Sequence, residues 1–337
     1  MLRKWQFWVG MVVSAAFLYL ALKGLNLDDA WTVAREANYW WIVPGVVVYF
    51  FAVWARTWRW HYLLRPIKRV PLGELFPVVV IGYMGNNIYP ARIGELLRAY
   101  VLRKREGVSV SSSLATILVE RVFDGVVMLI FVFFSLPFTP MPDWLRTIVI
   151  VGSLLFFTAL VIFLVMAARP EMSRAVYGWI IDRFVPVRFR SPLMGFLDRF
   201  MEGLHSLRSP LDVAMIFLTS LVIWLAETVK YWFVMHSFNF EVPFFVLMLM
   251  NGVVNLATTI PSSPGYVGTF DAPGIKVLEG FGVNRAVATS YTLVLHAALW
   301  LPITLLGLFF MWKESVTWRD FSLATAVKDQ AAEASGE

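Results

Sequence analysis

Residues 85–98 read Gly85-Asn-Asn-Ile-Tyr-Pro-Ala-Arg-Ile-Gly-Glu-Leu-Leu-Arg98, and they interrupt a long apolar run. Pro90 ends a helix because its ring removes a backbone donor and clashes with the preceding turn. Gly94 allows the helix that follows to approach a neighbour closely. Because the basic cluster Arg103-Lys104-Arg105 comes soon afterwards, residues 71–102 are predicted to form a helical hairpin that turns near Pro90.

The composition around this hairpin is that of a membrane protein. Apolar residues make up 59% of the 337 positions and charged residues 15%, whereas a soluble domain has about 25% charged residues. There is no cysteine, which excludes disulfide frameworks, thiolate catalysis and zinc–sulfur sites. The net charge of +6 is concentrated in a few loops, which is typical of membrane topology and not of a nucleic-acid-binding surface. We therefore predict an all-α polytopic membrane protein.

Six apolar runs approach the ~20 residues that a helix needs to cross a bilayer. They are 6–22, 39–60, 110–136, 146–168, 211–238 and 286–312. The first run is long for the apolar core of a signal peptide and lacks a clear cleavage site before Lys23, so an uncleaved span is expected in preference to a cleavable signal. Two further runs, 72–89 and 243–260, are interrupted by Gly, Asn and Pro.

The positive-inside rule places the basic loops in the cytoplasm. These loops contain Arg3/Lys4, Arg65/Lys68/Arg69, Arg103–Arg105, the stretch 169–208 and Lys313/Arg319. The loops at 137–144 and 239–243 carry no Lys or Arg and are expected outside. We therefore expect both termini in the cytoplasm and the chain in the inner membrane. The two interrupted runs are then expected to form re-entrant hairpins, which enter the membrane from opposite faces. The alternative is eight transmembrane helices, which would leave Arg103–Arg105 outside.

The second hairpin turns at Pro261-Ser-Ser-Pro-Gly-Tyr-Val-Gly-Thr-Phe-Asp271. The helix breakers in this turn are Pro261, Pro264, Gly265 and Gly268. Exposed backbone at this depth is tolerated only beside protein or a polar cavity. Asp271 follows in the returning half-helix.

Short sequence patterns recur after the two hairpins. Gly107-Val108 followed by Ala115-Thr116 resembles Gly282-Val283 followed by Ala288-Thr289. Residues 39–136 and 211–312 are therefore predicted to form an inverted repeat of span, hairpin and span. Inverted repeats with broken helices near the midplane are the architecture of many transporters.

The first hairpin carries charges that suit a phosphate group. Backbone N–H groups at the start of its second half-helix are unpaired and carry positive partial charge, and Arg92 and Arg98 add full charges. A helix start of this kind binds anions. Asn87 lies just before the turn. The alternative is that Glu95 and Arg98, at i,i+3 on one face, form an internal pair that holds the hairpin together.

Span 110–136 contains Glu120, Arg121 and Asp124. Each such charge costs about 2.5–3.5 kcal/mol at the bilayer centre, so these residues cannot face lipid. Glu120 and Asp124 are one turn apart, and we expect both to face a polar interior with Arg121 beside them. A structural ion-pair network is the alternative, although buried pairs contribute little net stability.

Span 211–238 carries Glu227 and Lys230, again at i,i+3. A functional role and an internal salt bridge that neutralises the span are equally compatible with this spacing. His296 lies centrally in the last span and is expected to be a hydrogen-bonded core residue. Arg56 and Arg59 are expected near the cytoplasmic end of their span, with their charged ends reaching the headgroups.

Two segments lie outside the predicted spans. The stretch 169–208 is basic and amphipathic, and it is expected to lie on the cytoplasmic leaflet as an anchor. Residues 321–337 lose the apolar pattern and are expected to be a disordered cytoplasmic tail. Residues 1–320 would then form a single transmembrane domain.

Three blocks of this sequence resemble the flippase-like membrane domain of the lysylphosphatidylglycerol synthase family. They are Asn87…Pro90-Ala-Arg-Ile-Gly-Glu-Leu-Leu-Arg98, Glu120-Arg-Val-Phe-Asp124 and Pro261…Pro264-Gly-Tyr-Val-Gly-Thr-Phe-Asp271. The family also includes free-standing bacterial proteins and archaeal proteins tied to lipid-linked glycosylation. The resemblance covers nearly all of residues 6–312 and implies lipid translocation between leaflets, with these polar residues lining a cavity.

Two positions depart from the family pattern. The family commonly has Glu where Asp271 stands and often has Arg near His296, so the charge of the cavity is expected to differ. Residues 1–337 offer no segment that we expect to form a soluble aminoacyltransferase domain, so the cargo need not be an aminoacylated lipid.

We expect a transporter that moves an anionic lipid, either a phospholipid or a polyprenyl-phosphate-linked intermediate. The substrate-binding residues are expected to be Asn87, Arg92, Glu95, Arg98, Glu120, Arg121, Asp124, Glu227, Lys230 and Asp271, and the hairpin turns are expected at Pro90, Gly94, Pro261, Pro264, Gly265 and Gly268. The arginines would bind phosphate, and the carboxylates would orient them or relay protons.

No catalytic motif is recognisable, so we expect no catalytic residue, cofactor or metal. The expected partners are membrane lipids, and the family's link to glycosylation makes a lipid-biosynthesis or glycosyltransferase partner a further expectation. The alternatives are an intramembrane lipid-modifying enzyme and a non-catalytic accessory subunit of a lipid or glycan pathway.

The re-entrant topology can be tested with single cysteines, because the chain has none of its own. Cysteines in place of Lys68 and Lys104 should both react with a membrane-impermeant maleimide from the cytoplasmic side only. Labelling of position 104 from the outside would contradict the hairpin and favour eight crossings.

Overall fold

The computed structural model of the protein describes most of the chain. The described residues are 5–23, 27–89, 92–138, 154, 156–158, 160–165, 167–204, 207, 209–260 and 262–314. Within them all regular secondary structure is helical, as the composition predicts. The expected tail 321–337, Pro90, Pro261 and most of the expected span 146–168 lie outside the described residues.

Most of the helices follow the predicted apolar runs and hairpins. In chain order the helices are α1 Trp5–Leu22, α2 Leu27–Glu36, α3 Ile42–Leu64, α4 Leu72–Ile88, α5 Ile93–Glu106, α6 Val110–Ser135, α7 Pro170–Phe184, α8 Val187–Gly203, α9 Pro210–Met235, α10 Phe244–Ala257, α11 Asp271–Gly280 and α12 Arg285–Lys313. Among them α2, α7 and α8 lie outside the predicted runs and hairpins. Short 3₁₀ turns lie at Tyr39–Trp41, Leu136–Phe138 and Pro264–Tyr266. Among the described residues three helical stretches are both long and apolar enough to cross a membrane: Tyr39–Leu64, Pro210–Met235 and Arg285–Lys313. Helix α6 has the length, but it carries three charged residues, Glu120, Arg121 and Asp124, in its central part.

Helices α4 and α5 form the first hairpin and pack side by side in antiparallel directions. At the closed end, a Cβ atom on Gly94 would overlap the carbonyl oxygen of Gly82 and lie 2.6 Å from the backbone nitrogen of Asn86. At the open end, Arg105 pairs with Glu74. The chain therefore enters and leaves this hairpin at the same end, and glycine at position 94 is what allows the two helices to touch.

Helices α10 and α11 form the second hairpin. Gly274 faces Met250 and Val254 across the pair, and at the open end the rings of Phe245 and Phe281 lie 6.0 Å apart. The turn between the helices contains two glycines with positive φ, Gly265 at 71° and Gly268 at 82°. α1 covers this turn, and Ser14 Oγ accepts a hydrogen bond of 2.8 Å from the backbone N–H of Ser263.

Each hairpin packs against a long helix from the other half of the chain. Helix α4 lies against α12, where Gly307 contacts the side chain of Met84. Helix α10 lies against α6, where Gly252 faces the carbonyl of Met128. Helices α3 and α9, which begin the two predicted repeats, pack against each other. This exchange packs the two halves of the chain against each other.

The local pattern noted after each hairpin has a conformational counterpart. Gly107 follows α5 with φ of 69°, and Gly282 follows α11 with φ of 83°. In each case the next long helix begins three residues later and has a side-chain cap. Ser109 accepts from the N–H of Ser112, and Asn284 accepts from that of Ala286. A left-handed residue closes a helix C-terminus most easily as glycine, which explains why glycine stands at both points.

The basic amphipathic stretch folds as α7 and α8. Helix α8 packs on the start of α6, where Ser112 donates a 2.9 Å hydrogen bond to the carbonyl of Arg199. Trp179 and Phe184 on α7 are exposed. An exposed apolar face beside basic side chains is the arrangement expected of a helix that rests on a lipid surface.

The contact at Gly94 gives a stability prediction. Gly94→Ala should destabilise the protein by about 1–3 kcal/mol, the usual range for overpacking, because the new methyl group meets backbone atoms that cannot rotate away. Thermal denaturation of the detergent-solubilised protein measures this effect. Gly73→Ala is the matched control in the same hairpin, since a Cβ there meets nothing within 4 Å. An unchanged melting temperature for Gly94→Ala would show that the hairpin closes differently.

Candidate functional site

Arg59 on α3 is completely buried and lies at the centre of the charged interior. Its Nη1 lies 2.7 Å from Asp124 Oδ1 and 2.6 Å from Ser220 Oγ, and its Nε lies 3.6 Å from Glu120 Oε1. The expectation that Arg56 and Arg59 reach the headgroups is therefore wrong. The reason is that α3 continues to Leu64, so Arg59 lies about 7.5 Å before the helix end at 1.5 Å per residue.

The carboxylates of α6 are shared among several donors. Asp124 also accepts from Trp224 Nε1 at 2.8 Å and pairs with Arg121 Nη2 at 3.2 Å. Glu120 Oε2 lies 2.8 Å from Arg98 Nη2. The guanidinium of Arg98 lies 3.7 Å from the centre of the Trp60 ring. Arg98 thus pairs with Glu120 across the helix interface, and the alternative of an internal Glu95–Arg98 pair is not what the structure shows.

Glu95 pairs with Arg92 and Arg121 instead. Its Oε1 lies 3.9 Å from Arg92 Nη1 and 3.6 Å from Arg121 Nε. Arg92 has φ of 52°, an uncommon conformation for a residue with a Cβ. It directs the guanidinium toward the second hairpin, where Nη2 donates to the carbonyl of Thr258 at 3.3 Å and the group lies 6.0 Å from the Tyr266 ring.

A second group of charges joins α3 to α9. Glu227 pairs with Arg56 at 2.5 Å on one side and with Lys230 on the other. Lys230 lies 4.8 Å from the centre of the Tyr49 ring, and Arg56 lies 5.0 Å from that of Trp224. The internal Glu227–Lys230 salt bridge considered from the sequence is present, and it gains Arg56 as a third member.

These charges border a cavity of about 140 Å³ between the two hairpins. Four cations and one carboxylate line it: Arg56, Arg92, Arg121, Lys230 and Glu227. Amides and aromatic rings complete the wall: Asn86, Asn87, Asn255, Tyr49, Tyr83, Trp224, Tyr231, Tyr266, Phe270 and Trp300. The lining comes from both predicted repeats and carries an excess of positive charge.

The predicted site residues separate into two sets. Asn87, Arg92, Arg121, Glu227, Lys230 and the turn residue Gly265 line the cavity. Glu95, Asp124 and Glu120 lie behind it as partners of cations. Arg98 lies with Glu120 and Trp60, away from the cavity lining. Asn87 also binds α12, since its side-chain amide donates to Thr304 Oγ1 at 2.8 Å.

Asp271 and His296 contact each other at the second turn. His296 Nδ1 lies 2.8 Å from Asp271 Oδ1, and Nε2 lies 2.7 Å from the carbonyl oxygen of Gly265. Because a carbonyl oxygen only accepts, Nε2 is the donor there. Asp271 Oδ2 accepts from the N–H of Gly268 at 2.8 Å. The two positions that depart from the family pattern thus form one contact, which fixes the turn beside the cavity.

Several cavity residues were missed by sequence reasoning. Arg56 was assigned to the headgroup region, and the aromatic rings and Asn255 were not singled out. The sequence does contain a pattern that indicates a buried Arg56. Arg56 and Arg59 share a face of α3, and the buried carboxylates of the other spans need cations as partners. The rings carry no such signal, because an aromatic residue in an apolar helix is equally compatible with the core or the lipid surface.

Comparison with known proteins identifies the family of this chain. The model of the lysylphosphatidylglycerol synthase transmembrane region matches residues 7–307. The chain therefore belongs to that family, as the three sequence blocks indicated. No solved structure matches.

Curated relatives cover most of the chain. A UPF0104 membrane protein of Methanothermobacter thermautotrophicus is 23% identical over 301 residues, which span 85% of this chain and 88% of the relative. A UPF0104 membrane protein of Methanocaldococcus jannaschii is 21% identical over 88% of this chain and 91% of its own. Glycosyltransferase AglD of Haloferax volcanii is 25% identical over 93% of this chain, but this match spans only 55% of that longer protein.

The pairing of Arg59 gives a second stability prediction. Arg59→Met should destabilise the protein by about 3–5 kcal/mol, because Asp124 and Glu120 stay buried without their shared cation. Thermal denaturation in detergent checks it. Arg65→Met is the matched control, since Arg65 is exposed at the end of the same helix. Equal stability of the two variants would show that Arg59 is not the shared cation.

Proposed function

We propose that this family member moves an anionic lipid, a phospholipid or a polyprenyl-phosphate-linked intermediate, between the leaflets of the cytoplasmic membrane. The observation that carries the proposal is the composition of the cavity, with four cations against one carboxylate. Buried charges without partners are very unfavourable. A negatively charged headgroup would supply the missing counter-charge.

The lengths of the hairpin helices support the proposed topology. Helices α10 and α11 have 14 and 10 residues, and α4 and α5 have 17 and 14. At 1.5 Å per residue the longest of them reaches about 25 Å, which is short of the ~30 Å hydrocarbon core. We infer that both hairpins are re-entrant, that they enter from opposite faces, and that both termini are cytoplasmic.

The exchange of packing partners supports an inverted repeat. Each hairpin packs on a long helix of the other half: α4 contacts α12, and α10 contacts α6. In transporters built from inverted repeats, substrates bind where broken helices meet near the midplane. The cavity lies between the two hairpin turns, so a lipid headgroup would bind there while its chains stay in the bilayer.

The name of one relative bears on the class of cargo. AglD is called a glycosyltransferase, and a sugar-carrying lipid is an anionic cargo when a phosphate links the sugar to the lipid. A lipid-linked intermediate of glycosylation is therefore included in the proposed cargo. This chain would move the lipid without forming or breaking a bond in it, and a lipid-biosynthesis enzyme would be its functional partner.

Transport in vesicles tests the proposal. The double variant Arg92→Gln with Lys230→Gln should move fluorescent phosphatidylglycerol at least tenfold more slowly than the unaltered protein, since a charge-assisted hydrogen bond contributes about 1.5–3 kcal/mol. Arg92→Lys with Lys230→Arg keeps both charges and should retain most of the activity. The readout is dithionite quenching of the lipid in the outer leaflet.

Two controls make the transport result specific. Lys276→Gln removes an exposed cation that pairs with Glu279 and should have no effect. Fluorescent phosphatidylcholine should be moved slowly by every form. Rapid movement of both lipids by the double variant would refute a role for the cations, and a change in lipid mass in detergent would favour a lipid-modifying enzyme.

A further inference from the structure

The buried charges beside the cavity form two separate clusters. The α3–α9 cluster consists of Arg56, Glu227 and Lys230. The hairpin cluster consists of Arg92, Glu95 and Arg121, and it continues through Asp124 and Glu120 to Arg59 and Arg98. Among the described residues no ion pair joins the two clusters. They reach the same cavity from different helices.

Each cluster carries one uncompensated positive charge. The α3–α9 cluster has two cations and one carboxylate. The hairpin cluster has four cations and three carboxylates. Because a single phosphodiester carries one negative charge, it would neutralise one cluster and leave the other unpaired in a low-dielectric interior. Two negative groups are needed to neutralise both.

Both clusters contain buried N–H donors that lack a hydrogen-bond acceptor. The Nε–H groups of Arg56 and Arg92 have no hydrogen-bond partner among the described residues, and that of Arg121 lies 3.6 Å from Glu95 Oε1. Lys230 has three N–H donors, and Glu227 is its hydrogen-bond acceptor. Phosphate oxygens are strong acceptors for such charged donors. A phosphate group in the cavity would therefore meet cations of both clusters, since Arg56 and Lys230 of one and Arg92 and Arg121 of the other line it.

We propose that the lipid headgroup carries two phosphate groups, one bound by each cluster. This inference rests on the proposed function and narrows its cargo. Two kinds of lipid have this chemistry: a diphosphate ester of an isoprenoid alcohol, and a lipid with two separate phosphodiesters. Lipids with a single phosphate would bind through one cluster at a time.

Binding to the full-length protein in detergent tests the proposal, with ligands that differ in phosphate number. Farnesyl diphosphate should bind at least tenfold more tightly than the methyl ester of farnesyl phosphate, a phosphodiester with a single negative charge, if the ligand is an isoprenoid diphosphate, because the second phosphate gains its own charge-assisted contacts. Cardiolipin should bind more tightly than phosphatidylglycerol by a similar factor if the ligand is the lipid with two phosphodiesters. Isothermal titration calorimetry measures all four.

Single substitutions show whether each phosphate has its own cluster. Lys230→Gln and Arg92→Gln should each lower the affinity for the two-phosphate ligand about tenfold or more. Each should lower the affinity for the one-phosphate ligand by no more than about threefold, because that ligand can still bind to the other cluster. Each variant leaves its cluster neutral, so folding should be retained. Arg92→Lys and Lys230→Arg should restore binding, and Lys276→Gln is the control outside the cavity.

The outcomes separate this inference from the proposed function. If one- and two-phosphate ligands bind equally, or if each variant weakens both ligands equally, the cations form one shared site and the two-phosphate proposal is overturned while an anionic cargo stands. If no anionic ligand binds the unaltered protein, the proposed function fails too.

Discussion

The interior of this protein depends on the requirement that a charge removed from water must have an opposite charge or a polar partner close by. Arg59 is the clearest case, since its guanidinium lies between Asp124, Glu120 and Ser220. These partners come from two helices other than its own. The position of α3 relative to α6 and α9 is thereby constrained, because moving any one of the three would leave a charge unpaired.

Close backbone contact is the second requirement, and glycine provides it. Gly94 lets α5 touch α4, and Gly307 and Gly252 let the two hairpins touch the long helices of the opposite half. Apolar packing between helices gains little inside a bilayer, since lipid chains are equally apolar, so small residues at the contacts matter more than in a soluble core. These contacts bring the two turns to opposite walls of one cavity.

The contact between Asp271 and His296 shows how the site of this chain differs from the common pattern of its family. The resemblance predicts a different cavity charge at these two positions, and the acid and the imidazole lie within hydrogen-bonding distance. Both also bind the turn, through Gly268 and Gly265. The contact thus holds a polar pair at the turn, and the cations that line the cavity come from α3, α6, α9 and the first hairpin turn.

The sequence alone determined the membrane class, the helices of the apolar runs, the two interruptions and the family, because these follow from hydropathy, from proline and glycine, and from local motifs. It also singled out the charged residues, since a charge inside an apolar span is conspicuous at any position. Only the tertiary structure decided which charges pair. Arg98 binds Glu120 and not its near neighbour Glu95, and Arg56 joins Glu227 across 171 positions of sequence. Helix periodicity predicts which face of a helix a residue occupies, but it does not predict which other helix packs on that face. Partners that are distant in sequence, and the cavity between them, are therefore determined only by the packing of the helices.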